Sequence, residues 1–171
     1  LYQSLQSLQG MPRVNTDEIL RDFGDWRDMA DVMTAGKIAV KKIAKYFDEG
    51  IAFNQETTLC GKSIINNITK TKNRGFFIEL HYIGVESADI AKERVAGRMK
   101  QGGHGIAEQD IERRYIETFD NLKTVLPECD LAAFYDNTIE FRRFAIYKSG
   151  SPVRISHHIP DWYERFVADM T

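Results

Sequence analysis

Short runs rich in β-branched and aromatic residues alternate with longer stretches of helical periodicity along this sequence, and that alternation constrains the fold more than any other feature. Residues 13–15, 51–55, 76–83, 131–135 and 141–148 read as strands, and 76–83 is dense enough in such side chains to predict a buried one. Met33, Gly36, Val40, Ile43 and Phe47 fall on one face of a helix closed by Gly50. Residues 62–72 form another helix, and Ser87 can cap one running to about residue 101. Ile111, Tyr115, Phe119 and Leu122 share a face of a helix over 107–125, and 161–170 is the last helix. Strands joined by connections this long predict an α/β fold, a parallel sheet covered by helices. Ligands of such sheets bind beyond the carboxyl ends of the strands. That rule selects residues 15–17, 55–58, 84–87 and 136–138.

Composition narrows the class. The 171 residues are 43% hydrophobic, enough for one core, and the net charge of −2 gives no global attraction to nucleic acid or anionic membrane. No apolar run approaches the roughly 18 residues of a membrane span, and no basic-then-apolar leader opens the sequence. Cys60 and Cys129 make neither a disulfide framework nor a metal cluster. A reduced, cytoplasmic protein is expected, with a domain over 1–148 and a C-terminal extension over 149–171 that carries Arg154, His157 and His158. Leu1, Leu5 and Leu8 lie at helical spacing before Gly10 and Pro12, as in a helix already under way at the first residue. The expectation is that residues precede it.

Three constellations could carry chemistry. In Asn15-Thr16-Asp17-Glu18, a carboxylate at a strand end can take a proton from a hydroxyl or help hold a metal ion; the same residues also suit a helix cap, with Asn15 and Glu18 as a capping box. Gln55-Glu56-Thr57-Thr58 brings a carboxylate and two hydroxyls to the ligand edge, or else Thr57 and Thr58 cap the next helix. Gly61-Lys62-Ser63 imitates the end of a phosphate loop, but Glu56 and Thr57 stand where such a loop needs an earlier glycine. Arg94, Arg98, Arg113 and Arg114 surround Gly102-Gly103-His104-Gly105; arginines on either side of a glycine hinge suit a lid closing over phosphate, and they equally suit a solvated surface paired with Glu93, Glu108 and Glu112. Tyr135-Asp136-Asn137 ends a strand, where it could line a base pocket or simply turn the chain.

Together Val14-Asn15-Thr16-Asp17-Glu18-Ile19, Glu56-Thr57-Thr58-Leu59-Cys60-Gly61-Lys62-Ser63, Glu93-Arg94-Val95 through Arg98, Gly102-Gly103-His104, Arg113-Arg114-Tyr115, Asn121-Leu122 and Tyr135-Asp136-Asn137 resemble, in order and spacing, the compact bacterial branch of the zeta-toxin family of P-loop ATPases. The resemblance implies a three-layer P-loop kinase fold and transfer of the ATP γ-phosphate, with Mg2+, to a hydroxyl of a sugar nucleotide such as UDP-N-acetylglucosamine, as in toxins that poison cell-wall synthesis. It implies Asp17 as general base and metal ligand, and Glu56, Thr57 and Thr58 as substrate-binding residues. Arg94 and Arg98 would act on the transferring phosphate, with His104, Arg113 and Asn137 on the nucleotide side. A toxin-like kinase further implies an antitoxin protein as partner.

The sequence departs from that family in two places. It holds no glycine-rich phosphate loop, and residues 1–9 read as the helix that such a loop would feed, so these residues alone are expected to bind nucleotide weakly. Val40 or a neighbouring lysine stands where the toxin kinases carry an acidic residue on the substrate-side helix. A non-catalytic module that binds an antitoxin or a second copy is the alternative, and the neutral charge balance argues against nucleic acid as the substrate.

Overall fold

Asn15 both ends a strand and starts a helix, and it organises the first part of the chain. Its side-chain Oδ1 accepts from the amides of Asp17 and Glu18, which caps α2 (Thr16–Arg21) directly after β1 (Arg13–Val14). The computed structural model describes residues 6–100 and 105–168. The chain divides into two compact units, Leu1–Thr57 and Thr58–Thr171.

In the first unit a short helix α1 (Gln6–Gln9) precedes β1, which pairs in parallel with β2 (Asn54–Gln55). Between α2 and β2 runs α3 (Met29–Glu49), capped by the Asp28 carboxylate and closed by Gly50, whose φ of 65° is the left-handed conformation glycine adopts freely. Gly50 thus ends the helix where the sequence predicts. The buried stripe of α3 overlaps the predicted one in part: Ile43 faces the core as expected, with Phe47 packed against it, but Ala35 and Ala39 join it there with Val14, Ile19 and Leu20. Met33 and Val40, expected inside, are 57% and 62% exposed. Ala35 and Ala39, four apart, offer small side chains that let α2 approach closely, and Ile43, Tyr46, Phe47 and Phe53 fill the rest.

The second unit is built on a four-stranded sheet of order β3-β4-β5-β6. It comprises α4 (Lys62–Asn73), β3 (Glu79–Gly84), α5 (Ala88–Lys100), α6 (Glu108–Val125), a single 3-10 turn, β4 (Leu131–Asp136), β5 (Arg142–Lys148), β6 (Ser151–Ile155) and α7 (Asp161–Phe166). β3 and β4 are parallel, Gly84 lying opposite Asp136, but β4–β5 and β5–β6 are antiparallel. The fully parallel sheet expected from the sequence is therefore corrected to a mixed one within an α/β chain. The reason is loop length: only residues 137–141 join β4 to β5, too few for a parallel crossover. Ser149 and Gly150, at φ of 48° and 77°, make the two-residue turn into β6, where the sequence reading placed only a turn.

β3 is half-buried rather than buried. Tyr82 and Gly84 are inside, Glu79 and Ile83 are exposed, and Phe77 lies before the strand in solvent. The core joins Ile64 of α4, Phe119, Leu122 and Val125 of α6, Phe134, Phe144 and Tyr147 of the sheet, and Trp162, Tyr163 and Val167 from the end of the chain. The face of α6 read from periodicity is the buried one. The segment read as an extension supplies an edge strand and Trp162, which is 0% exposed. α5, in contrast, buries none of its residues; at its start Ser87 Oγ accepts from the Ile90 amide at 3.3 Å. No helix of the described residues is long and apolar enough to cross a membrane.

Candidate functional site

The residues singled out at strand ends gather at two places, one in each unit. In the first, Glu56 follows β2 and Asn15 follows β1, side by side at the carboxyl edge of the parallel pair. Asn15 Nδ2 donates to Glu56 Oε2 at 2.8 Å, and Arg13 pairs with both Glu56 and Glu18. Of the predicted capping box, the Asn15 half is present; Glu18 turns to Arg13, 3.1 Å away, instead of reaching back to Asn15. Asp17 is exposed, and its carboxylate has no hydrogen bond or ion pair among the described residues. Thr57 is exposed beside Glu56. A carboxylate neutralised by an arginine and an amide next to one left unpaired is an arrangement that can hold a hydroxylated molecule and accept its proton. Mg2+ bound to a polyphosphate needs one or two protein carboxylates, and Asp17 fits that role. Among the described residues no cluster of three or more metal-ligating side chains occurs.

In the second unit, the end of β3 and the end of β4 are tied together. The Asn137 amide donates to the Gly84 carbonyl at 2.9 Å, and the Glu86 amide to Thr138 Oγ1 at 3.1 Å. Asp136 is 8% exposed, and its Oδ1 accepts from Thr138 Oγ1 at 2.7 Å and from the Trp162 indole at 3.2 Å. Glu86 accepts from Arg165 at 2.8 Å, while the Tyr115 hydroxyl donates to the carbonyls of Val85 and Glu86. Arg94 of α5 donates to the carbonyls of Asn137 and Thr138, so its guanidinium sits at the carboxyl edge of β4. Arg98 is exposed one turn further along α5. Arg113 lies on α6 with its fork on Asp110 at 3.0 Å and Glu117 at 2.6 Å, and the Asp110 hydrogen bond raises its pKa. Lys92 links the two arginine helices by pairing with Asp89 and Glu112. His104 lies outside the described residues.

Thr58 opens the loop into α4, and this loop departs from expectation. Neither Thr57 nor Thr58 caps α4; Gly61 is the cap residue, and its amide donates to Glu117 Oε1 at 2.7 Å. Leu59 takes φ of 58°, a conformation costing a branched side chain about 1–3 kcal/mol, while its side chain is buried in the core. Asn121 Nδ2 donates to the Leu59 carbonyl at 2.8 Å. The Cys60 thiol donates to the Thr58 carbonyl, and burial raises its pKa. Sequence reasoning did not find Glu86, Glu117 or Trp162. Glu86 stands in the strand-end window 84–87 and was within reach of that rule; Glu117 and Trp162 act from elements distant in sequence, and no local pattern marks them.

No family model and no solved structure matches the chain. It is 38% identical over 102 residues to an uncharacterized protein of Haemophilus influenzae, an alignment spanning 60% of this chain and 73% of that protein. At that identity and coverage, the chain belongs to the same family as this Haemophilus influenzae protein.

Proposed function

We propose that the intact protein is a P-loop-type small-molecule kinase similar to zeta toxins, moving the γ-phosphate of ATP to a hydroxyl of a sugar nucleotide such as UDP-N-acetylglucosamine. The observation that carries the reading is the exposed Asp17 carboxylate, unpaired among the described residues, beside the Arg13–Asn15–Glu56 network at the carboxyl edge of a parallel strand pair. Asp17 takes the proton of the acceptor hydroxyl. The oxygen then bonds the γ-phosphorus as the bridging P–O bond to ADP breaks. Glu56, Thr57 and Thr58 orient the acceptor. Magnesium, when bound with ATP, supplies charge neutralisation at the phosphates. A helix that buries no residue and carries Arg94 and Arg98 is suited to act as a lid over phosphates.

The test incubates the full-length gene product with γ-labelled ATP and a panel of sugar nucleotides, nucleosides and oligonucleotides. Transfer to a sugar nucleotide is expected, and Asp17→Ala lowers kcat by roughly a hundredfold or more. Undiminished transfer by that variant removes Asp17 as the base.

A second reading, a module that binds an antitoxin or another copy of itself, is favoured by the exposed Met29, Met33 and Val40 along α3. A wild-type protein silent toward the whole panel, together with co-elution of a bound protein that Met33→Lys abolishes, would support it.

A further inference from the structure

We infer that Glu117 and Asn121 are positioning residues that set the acceptor-binding loop at Thr58; this inference rests on the kinase reading above. The two residues stand four apart on α6 and so share a face. One grips each side of Cys60: Asn121 Nδ2 donates to the Leu59 carbonyl at 2.8 Å, and Glu117 Oε1 accepts from the Gly61 amide at 2.7 Å. Between them they hold a backbone that a leucine does not adopt unaided, with φ of 58° at Leu59 and 84° at Gly61. The Leu59 side chain, buried in the core, anchors the reversal, and the Cys60 thiol donates to the Thr58 carbonyl. Thr58 is the exposed residue just before this clamp, so its hydroxyl goes where the clamp directs the chain. The second oxygen of Glu117 accepts from Arg113 at 2.6 Å. Arg113 is therefore engaged to the loop through Glu117.

A clamp on the acceptor side acts on one substrate and not the other. In full-length protein, Glu117→Ala and Asn121→Ala should each lower kcat/KM for the acceptor about tenfold to a hundredfold, chiefly through KM, while KM for ATP stays within about twofold. Glu117→Gln keeps an acceptor for the Gly61 amide and should restore most of the loss. Asn121→Asp removes the donor with side-chain volume kept, and serves if Asn121→Ala does not fold. Cys60 reports the loop without catalysis: its alkylation by iodoacetamide, read by peptide mass mapping, should accelerate several-fold in the Ala variants and not in Glu117→Gln. Faster alkylation with an unmoved acceptor KM overturns the positioning role, and unchanged alkylation overturns the clamp. Absence of transfer by the wild type overturns the kinase reading and the positioning role with it. Transfer by the wild type with an unmoved acceptor KM overturns this inference alone.

Discussion

Replacing Gly84 by alanine adds one methyl group at the end of β3, and the structure gives that methyl no room. A Cβ at Gly84 would stand 2.4 Å from Trp162 Cζ2 and 2.6 Å from Cε2. The indole cannot yield cheaply, because it is 0% exposed, is packed against Tyr82 and Phe144, and donates to Asp136. The backbone at Gly84 needs no positive φ, so strain at alanine itself contributes nothing. Overpacking costs about 1–3 kcal/mol. Displacing the indole also loosens the hydrogen bond to the buried Asp136, for about 1–2 kcal/mol more. Gly84→Ala should therefore lose about 2–5 kcal/mol, a large share of a stability that is typically about 5–15 kcal/mol. Urea denaturation followed by circular dichroism should show the midpoint roughly 1–2 M lower at an unchanged slope. Trp162→Phe makes space, so the double variant should lose less than the sum of the singles by about 1 kcal/mol or more. A loss under about 0.5 kcal/mol for Gly84→Ala, or strict additivity in the cycle, would refute the packing argument.

Two further outcomes follow from the same geometry. Asn15→Ala removes the cap of α2 and the amide that holds Glu56, and should cost about 1 kcal/mol in urea denaturation, whereas Asn15→Ser keeps a capping oxygen and should recover part of it. His81 has its pKa held below the ordinary 6.5, by burial first and by Arg143 as well, against the opposing pull of Glu79, with the Tyr135 hydroxyl 3.2 Å from Nδ1. The unfolded imidazole takes up its proton at a higher pH than the folded one. Stability is thus full above about pH 6.5 and falls as pH drops toward the lower folded value. Thermal melts between pH 7.5 and 5 should show that decline, and His81→Asn should flatten it.

The parts legible in the sequence are those whose cause is local. Asn15 as a cap, Gly50 as a helix stop, and the face of α6 through Ile111, Phe119 and Leu122 each follow from spacing within a turn or two. Strand direction was not local. The connection of residues 137–141 was visible in the sequence, but its shortness decides the pairing only once β5 is known to neighbour β4. The inside of α3 was misread in part because its stripe runs through Ala35 and Ala39 before Ile43, while the bulkier Met33 and Val40 point outward; periodicity counts apolar residues and does not say which of two stripes a neighbour will cover. The strand-end rule brought Asn15 to Glu56, and Gly84 to Asp136, because parallel pairing aligns carboxyl ends. It was silent about Trp162, which reaches Asp136 from α7, and about Glu117, which holds the Gly61 amide from α6.

The two-residue turn at Ser149 and Gly150 has a consequence in time. It closes β5 on β6 with almost no loop to order, an event of about 1–10 μs in a short hairpin. The parallel pair β3–β4 has to wait until the whole of residues 85–130, two helices included, has been brought round. The strands at the end of the chain are thus able to pair before the strands at its middle. On the ribosome this inverts the order of synthesis: β3 emerges early and stays without its neighbour, whereas β6 emerges late and finds its partner at once.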